Sequence, residues 1–199
     1  MSEDIIRLAK PSDAAAILDI YAPFIRETSL TFETEVPSVE DFAERIRSYL
    51  VNWPWLVFEQ NGEIGGYAYA SKHRERTGYQ WCVESSIYIR DKYKGRGVAF
   101  ALYKSLFHIL EKQGYRNVYA VINLPNETSV AFHERCGFEF FAEYKNVGYK
   151  LGRWKTVGWW LLRLNDYSDE PPPPVRFSDL DKSFLPALFK TMQDEIKFP

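Results

Sequence analysis

Residues 84–101, E-S-S-I-Y-I-R-D-K-Y-K-G-R-G-V-A-F-A, constrain this chain more than any other stretch. They read as a strand, a glycine-containing basic loop and a helix in immediate succession. Ile87, Tyr88 and Ile89 are β-branched or aromatic, as a strand prefers. Gly95 and Gly97 let backbone N–H groups come close to a ligand. From Val98 onward Leu102, Leu106, Ile109 and Leu110 recur at helical spacing, which predicts a helix to Gln113. The positive end of a helix dipole favours Asp and Glu. Here Arg90, Lys92, Lys94 and Arg96 crowd that end with only Asp91 against them. An anionic ligand, most simply a pyrophosphate, resolves the conflict. The plainer alternative is a solvated basic turn whose glycines serve geometry alone. The loop is not a Walker A motif, because no G-K-[ST] follows at the required spacing, and its G-x-G-x-x-G pattern is incomplete.

The rest of the chain supplies a frame for that unit. Ile5, Ile6 and Leu8 predict a first strand, and Ser12 is expected to cap a helix to about Ile25 with Ala14, Ile17, Leu18 and Tyr21 inward. Residues 28–37 read as extended. Ser38 and Asp41 resemble a capping box with Asp in place of Glu, opening a helix to about Val51. Asn61-Gly62 is a hairpin signal between strands at 53–59 and 63–71. A polar stretch leads into a strand over 79–89. A strand at 117–122, a helix over 126–136 ended by Gly137, and strands at 139–147 and 156–164 follow. Trp154, Trp159 and Trp160 read most simply as buried packing. This order argues a mixed α/β domain around one sheet.

Composition changes at Asn165. We read 1–165 as one domain, 166–174 as a Pro-rich linker and 175–199 as a helical appendage, with Leu185, Leu188, Phe189, Met192 and Ile196 on one face. A hydrophobic content of 46% suffices for a sizeable core. A net charge of −2 gives no reason to expect nucleic acid as a partner. Cys82 and Cys136 have no metal-ligand spacing and fit a reducing cytosol. The first residues lack a signal-peptide core and no apolar run approaches a membrane span, so the expected location is cytoplasmic with no membrane partner.

K-G-R-G-V-A at 94–99 resembles the [RQ]-x-x-G-x-[GA] pyrophosphate loop of the GNAT superfamily of N-acetyltransferases, with Lys in the first position keeping the charge. V-E-S-S-I-Y-I (83–89), N-L-P-N-E-T-S-V-A-F-H-E-R-C-G-F (123–138) and G-Y-K-L-G-R-W-K-T-V-G-W-W (148–160) follow the family's order. Together they are similar to the phosphinothricin and methionine sulfoximine N-acetyltransferase branch, over roughly residues 4–165. The resemblance implies a GNAT-like mixed, mostly antiparallel sheet flanked by helices, ahead of the short C-terminal appendage. It implies acetyl-CoA as cosubstrate, no metal, a small-molecule primary amine as acceptor and a homodimer. The implied reaction is direct attack in a ternary complex on an amino acid or analogue such as phosphinothricin or methionine sulfoximine.

The same resemblance implies the site. Ile87, Tyr88 and Ile89 would pair with the pantetheine and face the thioester oxygen through backbone N–H groups. Lys94, Gly95, Arg96, Gly97, Val98, Ala99 and Phe100 would hold the pyrophosphate, and Asn126 would contact the cofactor. Glu84 would be the general base. His133, two helical turns after Asn126, would protonate the leaving thiolate where many relatives have Tyr. His73 and His108 have no comparable support. Phe32, Glu33, Arg74, Arg76 and Tyr79 would surround the acceptor, with Arg offering a fork for its carboxylate. Lys150, Arg153 and Trp154 match a branch signature and are equally suited to a core or a dimer. Two readings compete: an acetyltransferase for a polyamine, aminoglycoside or protein amine, and a non-catalytic acyl-CoA sensor. Because Glu84 and His133 precede Asn165, removal of everything after Asp166 is expected to leave the chemistry substantially intact.

Overall fold

Side chains alternate along a strand, and here both sets are apolar, so the middle of the sheet must be covered twice. Leu56, Phe58, Ala68, Ala70 and Val83 pack on one face with Leu102, Leu106 and Ile109. Trp55, Val57 and Tyr67 pack on the other with Ile17, Tyr21, Phe42 and Ile46. The computed structural model describes residues 4–197. The chain runs β1 (Asp4–Leu8), α1 (Ala14–Glu27), α2 (Val39–Asn52), β2 (Trp55–Gln60), β3 (Glu63–Lys72), β4 (Cys82–Ile89), α3 (Val98–Gln113), β5 (Asn117–Leu124), α4 (Glu127–Arg135), β6 (Glu139–Lys150), β7 (Arg153–Arg163) and α5 (Leu185–Gln193). One seven-stranded sheet has the order β1-β2-β3-β4-β5-β7-β6. Every neighbouring pair is antiparallel except β4 and β5, which are parallel. Helix α3 covers one face, and α1 with α2 covers the other. This is the mixed, mostly antiparallel sheet with flanking helices that the sequence led us to expect.

Local signals explain most boundaries. Asn61 and Gly62 both take positive φ, 52° and 80°, which is what a two-residue turn between β2 and β3 demands. Helix α3 spans the residues its periodicity predicted. Three expectations change. Ser12 does not cap α1. A single 3-10 turn (Pro11–Asp13) comes first, and the Asp13 carboxylate accepts from the Lys10 N–H at 2.7 Å and from Arg7. At α2, Ser38 Oγ accepts from the Asp41 N–H at 3.0 Å, but Asp41 takes the Ser38 hydroxyl proton instead of reaching back to the backbone. Asp is one methylene shorter than Glu, so only half of the capping box forms. Tyr79 lies in a 3-10 turn (Thr77–Tyr79), and β4 begins only at Cys82.

The segment after β7 is tied to the domain along its length. Trp81 Nε1 donates to the Pro172 carbonyl at 2.9 Å. The buried Gln113 side chain donates to the carbonyls of Asn52 and Val175, at 2.9 and 2.7 Å. Phe177 is buried in the α3-side core, and α5 lies against β1 and α3 with Leu185 and Ile196 turned inward. Leu188, Phe189 and Met192 pack beside them. Phe177→Ala should cost about 3–5 kcal/mol of unfolding free energy, the usual range for truncating a buried aromatic. Urea denaturation of the two proteins measures it, and a loss below about 1 kcal/mol would mean that Phe177 anchors nothing.

Candidate active site

The sheet opens at one place. β4 and β5 are paired only across Cys82↔Asn117, Val83↔Val118 and Glu84↔Tyr119. Beyond that, β4 stays with β3 as far as Gly66↔Ile89, while β5 stays with β7 as far as Leu124↔Thr156. The strands therefore splay, and a cavity of about 870 Å³ fills the gap. Ser85 to Ile89 form one wall and Val121 to Asn123 the other. Backbone groups on a strand edge with no neighbour need a partner. An extended ligand laid in this gap would supply one.

The open end of the gap meets the basic loop. Gly97 stands at the N-cap of α3 with φ +89°, a conformation that favours glycine, and no side chain caps the helix. The first-turn N–H groups of α3 are thus left for a ligand, at the positive end of the dipole. Lys94, Gly95, Gly97, Val98, Ala99 and Phe100 line the cavity. Arg96 does not; its guanidinium lies 5.8 Å from the Tyr93 ring centroid. The charge conflict read from sequence is also smaller than expected. Arg90 pairs with Asp19 at 2.6 Å, Lys92 pairs with Glu63, and Lys94 pairs with Asp91 at 2.6 Å. Asp19 and Glu63 are distant in sequence and folding brings them in. Exposed pairs of this kind are worth about 0–1 kcal/mol, so the backbone amides, more than surplus charge, make this end attractive to an anion.

Alternation along β4 divides the side chains. Glu84, Ser86 and Tyr88 face the α1–α2 side; Val83, Ser85, Ile87 and Ile89 face the α3 side. Glu84 is the last β4 residue paired with β5. Burial pushes its carboxyl up to about 7, with Arg74 pulling the other way. Its Oε1 lies 2.9 Å from His73 Nδ1. His73 is held below its ordinary value by burial and by Arg74, and stacks on Tyr119 with ring centroids 4.3 Å apart. The 2.9 Å contact therefore joins a carboxyl and an imidazole on both of which burial disfavours charge.

On the other face Ser85 Oγ donates to Tyr103 Oη at 3.3 Å, and Tyr103 Oη lies 3.1 Å from His133 Nε2. His133 Nδ1 lies 2.8 Å from the Ser129 carbonyl, so it carries the hydrogen and Nε2 accepts from Tyr103. Burial lowers the His133 pKa and raises that of Tyr103. In this tautomer the one N–H of the imidazole is directed at a carbonyl and Nε2 accepts, an arrangement that suits a positioning role beside the acid role expected for His133. Ser85, Tyr103 and His133 all line the cavity.

The residues expected around the acceptor are scattered more than the sequence suggested. Arg74 lies over the Trp159 ring at 5.5 Å and Tyr79 sits 6.1 Å from His73, on the Glu84 side. Arg76 stands in an exposed turn. Glu33 pairs with Arg45 at 2.7 Å, and Phe32 covers Gly148, where any Cβ would meet its ring. Buried Lys150 donates to the Thr31 carbonyl at 2.7 Å, fastening the α1–α2 connection to the end of β6. Asn126 caps α4 by accepting from Ser129 N–H at 3.2 Å and lines the cavity. Sequence reasoning missed His73, Ser85, Tyr103, Asn123 and Trp159. Asn123 lines the cavity, and its Nδ2 is buried without a partner among the described residues, as is Trp159 Nε1. Period-two alternation from Ile87 and Ile89 would have found Ser85. Among the described residues no group of His, Cys, Asp and Glu could hold a metal, and no helix is long and apolar enough to cross a membrane.

Residues 6–159 match the family model described as an acetyltransferase (GNAT) domain. The chain is 36% identical to the phosphinothricin N-acetyltransferase of Streptomyces viridochromogenes, over 86% of this chain and 92% of the relative. It is 29% identical to the L-methionine sulfoximine/L-methionine sulfone acetyltransferase of Salmonella typhimurium, over 82% and 96%. Among solved structures, a phosphinothricin acetyltransferase from Sinorhizobium meliloti in complex with acetyl-CoA superposes with a TM-score of 0.79 at 30% identity, covering 87% of this chain and 98% of that one.

The Glu84 environment has a consequence for stability. Its carboxyl moves from 4.5 to about 7, so between those values the folded chain keeps a proton that the unfolded chain has released. This group's contribution is fully present below pH 4.5 and is lost as pH rises through about 7. Glu84→Gln keeps the neutral form at all pH values. Its melting temperature relative to wild type should therefore be higher at pH 8 than at pH 4.5. A pH-independent difference, followed by circular dichroism, would contradict the assignment.

Proposed function

This chain belongs to the GNAT family of acetyltransferases and is an acetyl-CoA-dependent N-acetyltransferase, and we propose that its acceptor is the α-amine of a small amino acid or analogue, of the phosphinothricin or methionine sulfoximine type. The observation that carries this reading is the position of Glu84, at the apex of the splay with Arg74 on the same side, where burial raises its carboxyl to about 7. A base of that strength is half ionised near neutrality and accepts a proton from an attacking amine at little cost. Arg74 offers its guanidinium to the acceptor carboxylate from the same side.

Acetyl-CoA supplies an activated acetyl group. In this reading the open edge of β4, Ile87 to Ile89, binds the pantetheine arm, and its N–H groups stabilise the charge that develops on the thioester oxygen. The amide groups of residues 95–100 hold the pyrophosphate, and Asn126 borders the same cavity. The amine attacks from the Glu84 side. The C–N bond forms, the amine proton passes to Glu84, and the C–S bond then breaks. The departing thiolate is protonated from solvent as CoA leaves. The hydrogen bonds from Ser85 to Tyr103 and from Tyr103 to His133 hold this side of β4 in place, and His133 is thus a positioning residue.

Trp154, expected to be buried with Trp159 and Trp160, is exposed instead, and with Phe140 and Tyr149 it leaves an exposed aromatic face on the β6–β7 hairpin, which supports a homodimer. The two free thiols, Cys82 and Cys136, fit the cytoplasm.

Glu84→Gln should lower kcat by about 10²–10⁴-fold. Wild-type kcat should rise with pH through about 7, as Glu84 ionises, and the variant should lose that limb. Near-wild-type turnover at pH 7, measured by thiol release, would leave Glu84 as a surface carboxylate. His133→Gln, which keeps hydrogen bonds without titrating, should retain far more activity than His133→Ala. Equal losses would favour the acid role. Arg74→Ala should raise KM about tenfold for α-amino acids and leave amines without a carboxylate unaffected, since a charge-assisted bond is worth about 1.5–3 kcal/mol. An amine panel in which polyamines outrun amino acids would overturn the acceptor class.

A further inference from the structure

We propose that the segment following α5 is part of the cofactor site: residues 195–197 clamp the phosphate loop, and the Lys197 side chain adds a cation for the phosphate groups of acetyl-CoA. The inference rests on reading residues 94–100 as the phosphate loop. The family match ends at residue 159, so nothing in it assigns a role to this segment.

The route of the chain delivers these residues to the loop. The bonds at Trp81, Gln113 and Asn52 hold residues 172–177 to the domain, and α5 then crosses β1 and α3. Ile196 buries its side chain just beyond α5. At that point the Lys197 N–H donates to the Arg96 carbonyl at 2.9 Å. The Glu195 carbonyl lies 3.3 Å from where a Cβ on Gly97 would stand. The Glu195 carboxylate pairs with Lys104 of α3 at 3.1 Å. Glu195 and Lys197 line the same cavity as Gly95, Gly97 and Ala99.

Two physical consequences follow from this contact. The carbonyl of Arg96 and the N–H of Gly97 belong to one planar trans unit and point in opposite directions. Tying the carbonyl to Lys197 therefore fixes the direction of the Gly97 N–H, in a loop whose glycines would otherwise rotate freely. A pre-set donor costs less ordering when the ligand binds. The second consequence is electrostatic. Arg90, Lys92 and Lys94 already have carboxylate partners, and Glu195 is matched by Lys104. Lys197 lines the cavity, and its ammonium has no carboxylate partner among the described residues. It is an uncommitted cation where a polyanionic ligand ends.

On this proposal, removal of everything after Asp166 leaves the chemistry substantially intact only where acetyl-CoA is saturating. The test measures calorimetric affinity for acetyl-CoA and for S-acetylpantetheine, which lacks the pyrophosphate and nucleotide phosphates. The proteins are full-length wild type, Lys197→Glu, a chain stopped after Asp194, and Ala99→Glu as a probe of the loop alone. Lys197 is exposed, so its substitution spares the fold even where the shortened chain does not. Lys197→Glu and the shortened chain should each bind acetyl-CoA about tenfold more weakly or worse, as for loss of one charge-assisted contact, with S-acetylpantetheine affinity unchanged. The weakening by Lys197→Glu should shrink as salt rises. Wild-type affinity in Lys197→Glu, with Ala99→Glu impaired, would overturn the clamp and leave the loop reading intact. Wild-type affinity in Ala99→Glu as well would overturn the loop reading, and the inference with it. Equal weakening for both ligands would make the segment a structural prop only.

Discussion

The architecture turns on a parallel ladder that is only as long as Cys82 to Glu84. β4 is committed to β3 and β5 to β7, and both commitments run on after the two strands have parted. Closing the gap would require β4 or β5 to bend out of the direction that the antiparallel ladder on its other side gives it. The sheet is therefore held open by its own hydrogen bonds. What would be a defect in a continuous sheet becomes an edge that a ligand can complete, with the N-terminus of α3 at its mouth. Glu84, the Ser85–Tyr103–His133 hydrogen bonds and the loop owe their relative positions to that divergence.

Within the site, burial tunes reactivity more than neighbouring charge does. Burial is the largest influence on Glu84, His73, His133 and Tyr103, and in each it disfavours the charged form. The loop cations are matched by carboxylates from α1 and from the start of β3. An apolar, closely packed setting of this kind lets a proton move between groups of similar affinity without a large fixed field to oppose it.

Much of this was legible in the sequence because it is local. The α3 repeat, the Asn61-Gly62 turn and the strand–loop–helix order are decided by residues a few positions apart, and the family motifs sit on them. The remainder depends on partners that only packing brings together. Arg90 finds Asp19 and Tyr103 finds His133 across long sequence separations. His73 meets Glu84 because β3 pairs with β4 in a register that matches Ser71 with Glu84, and no local pattern around His73 announces it. The segment beyond β7 reads as a linker because prolines and charges dominate it. Its anchoring comes from Phe177 and from carbonyls received by a buried glutamine, Gln113, which lies on the inward side of a helix that otherwise looks apolar.

The adjacency of Glu84 and Ser85 bears on how such a chain can diversify. One peptide bond separates them, yet the pleat sends them to opposite sides of the sheet, Glu84 toward His73 and Ser85 toward Tyr103. Substitutions around Arg74, Tyr79 and Trp159 are thus screened from Tyr103 and His133 by a layer of backbone, and share no partner with them. Free-energy changes at sites without shared partners add to within about 0.3–0.5 kcal/mol. A lineage can therefore exchange one amine for another through changes on one side, keeping the thioester half as inherited, and without compensating mutations across the sheet.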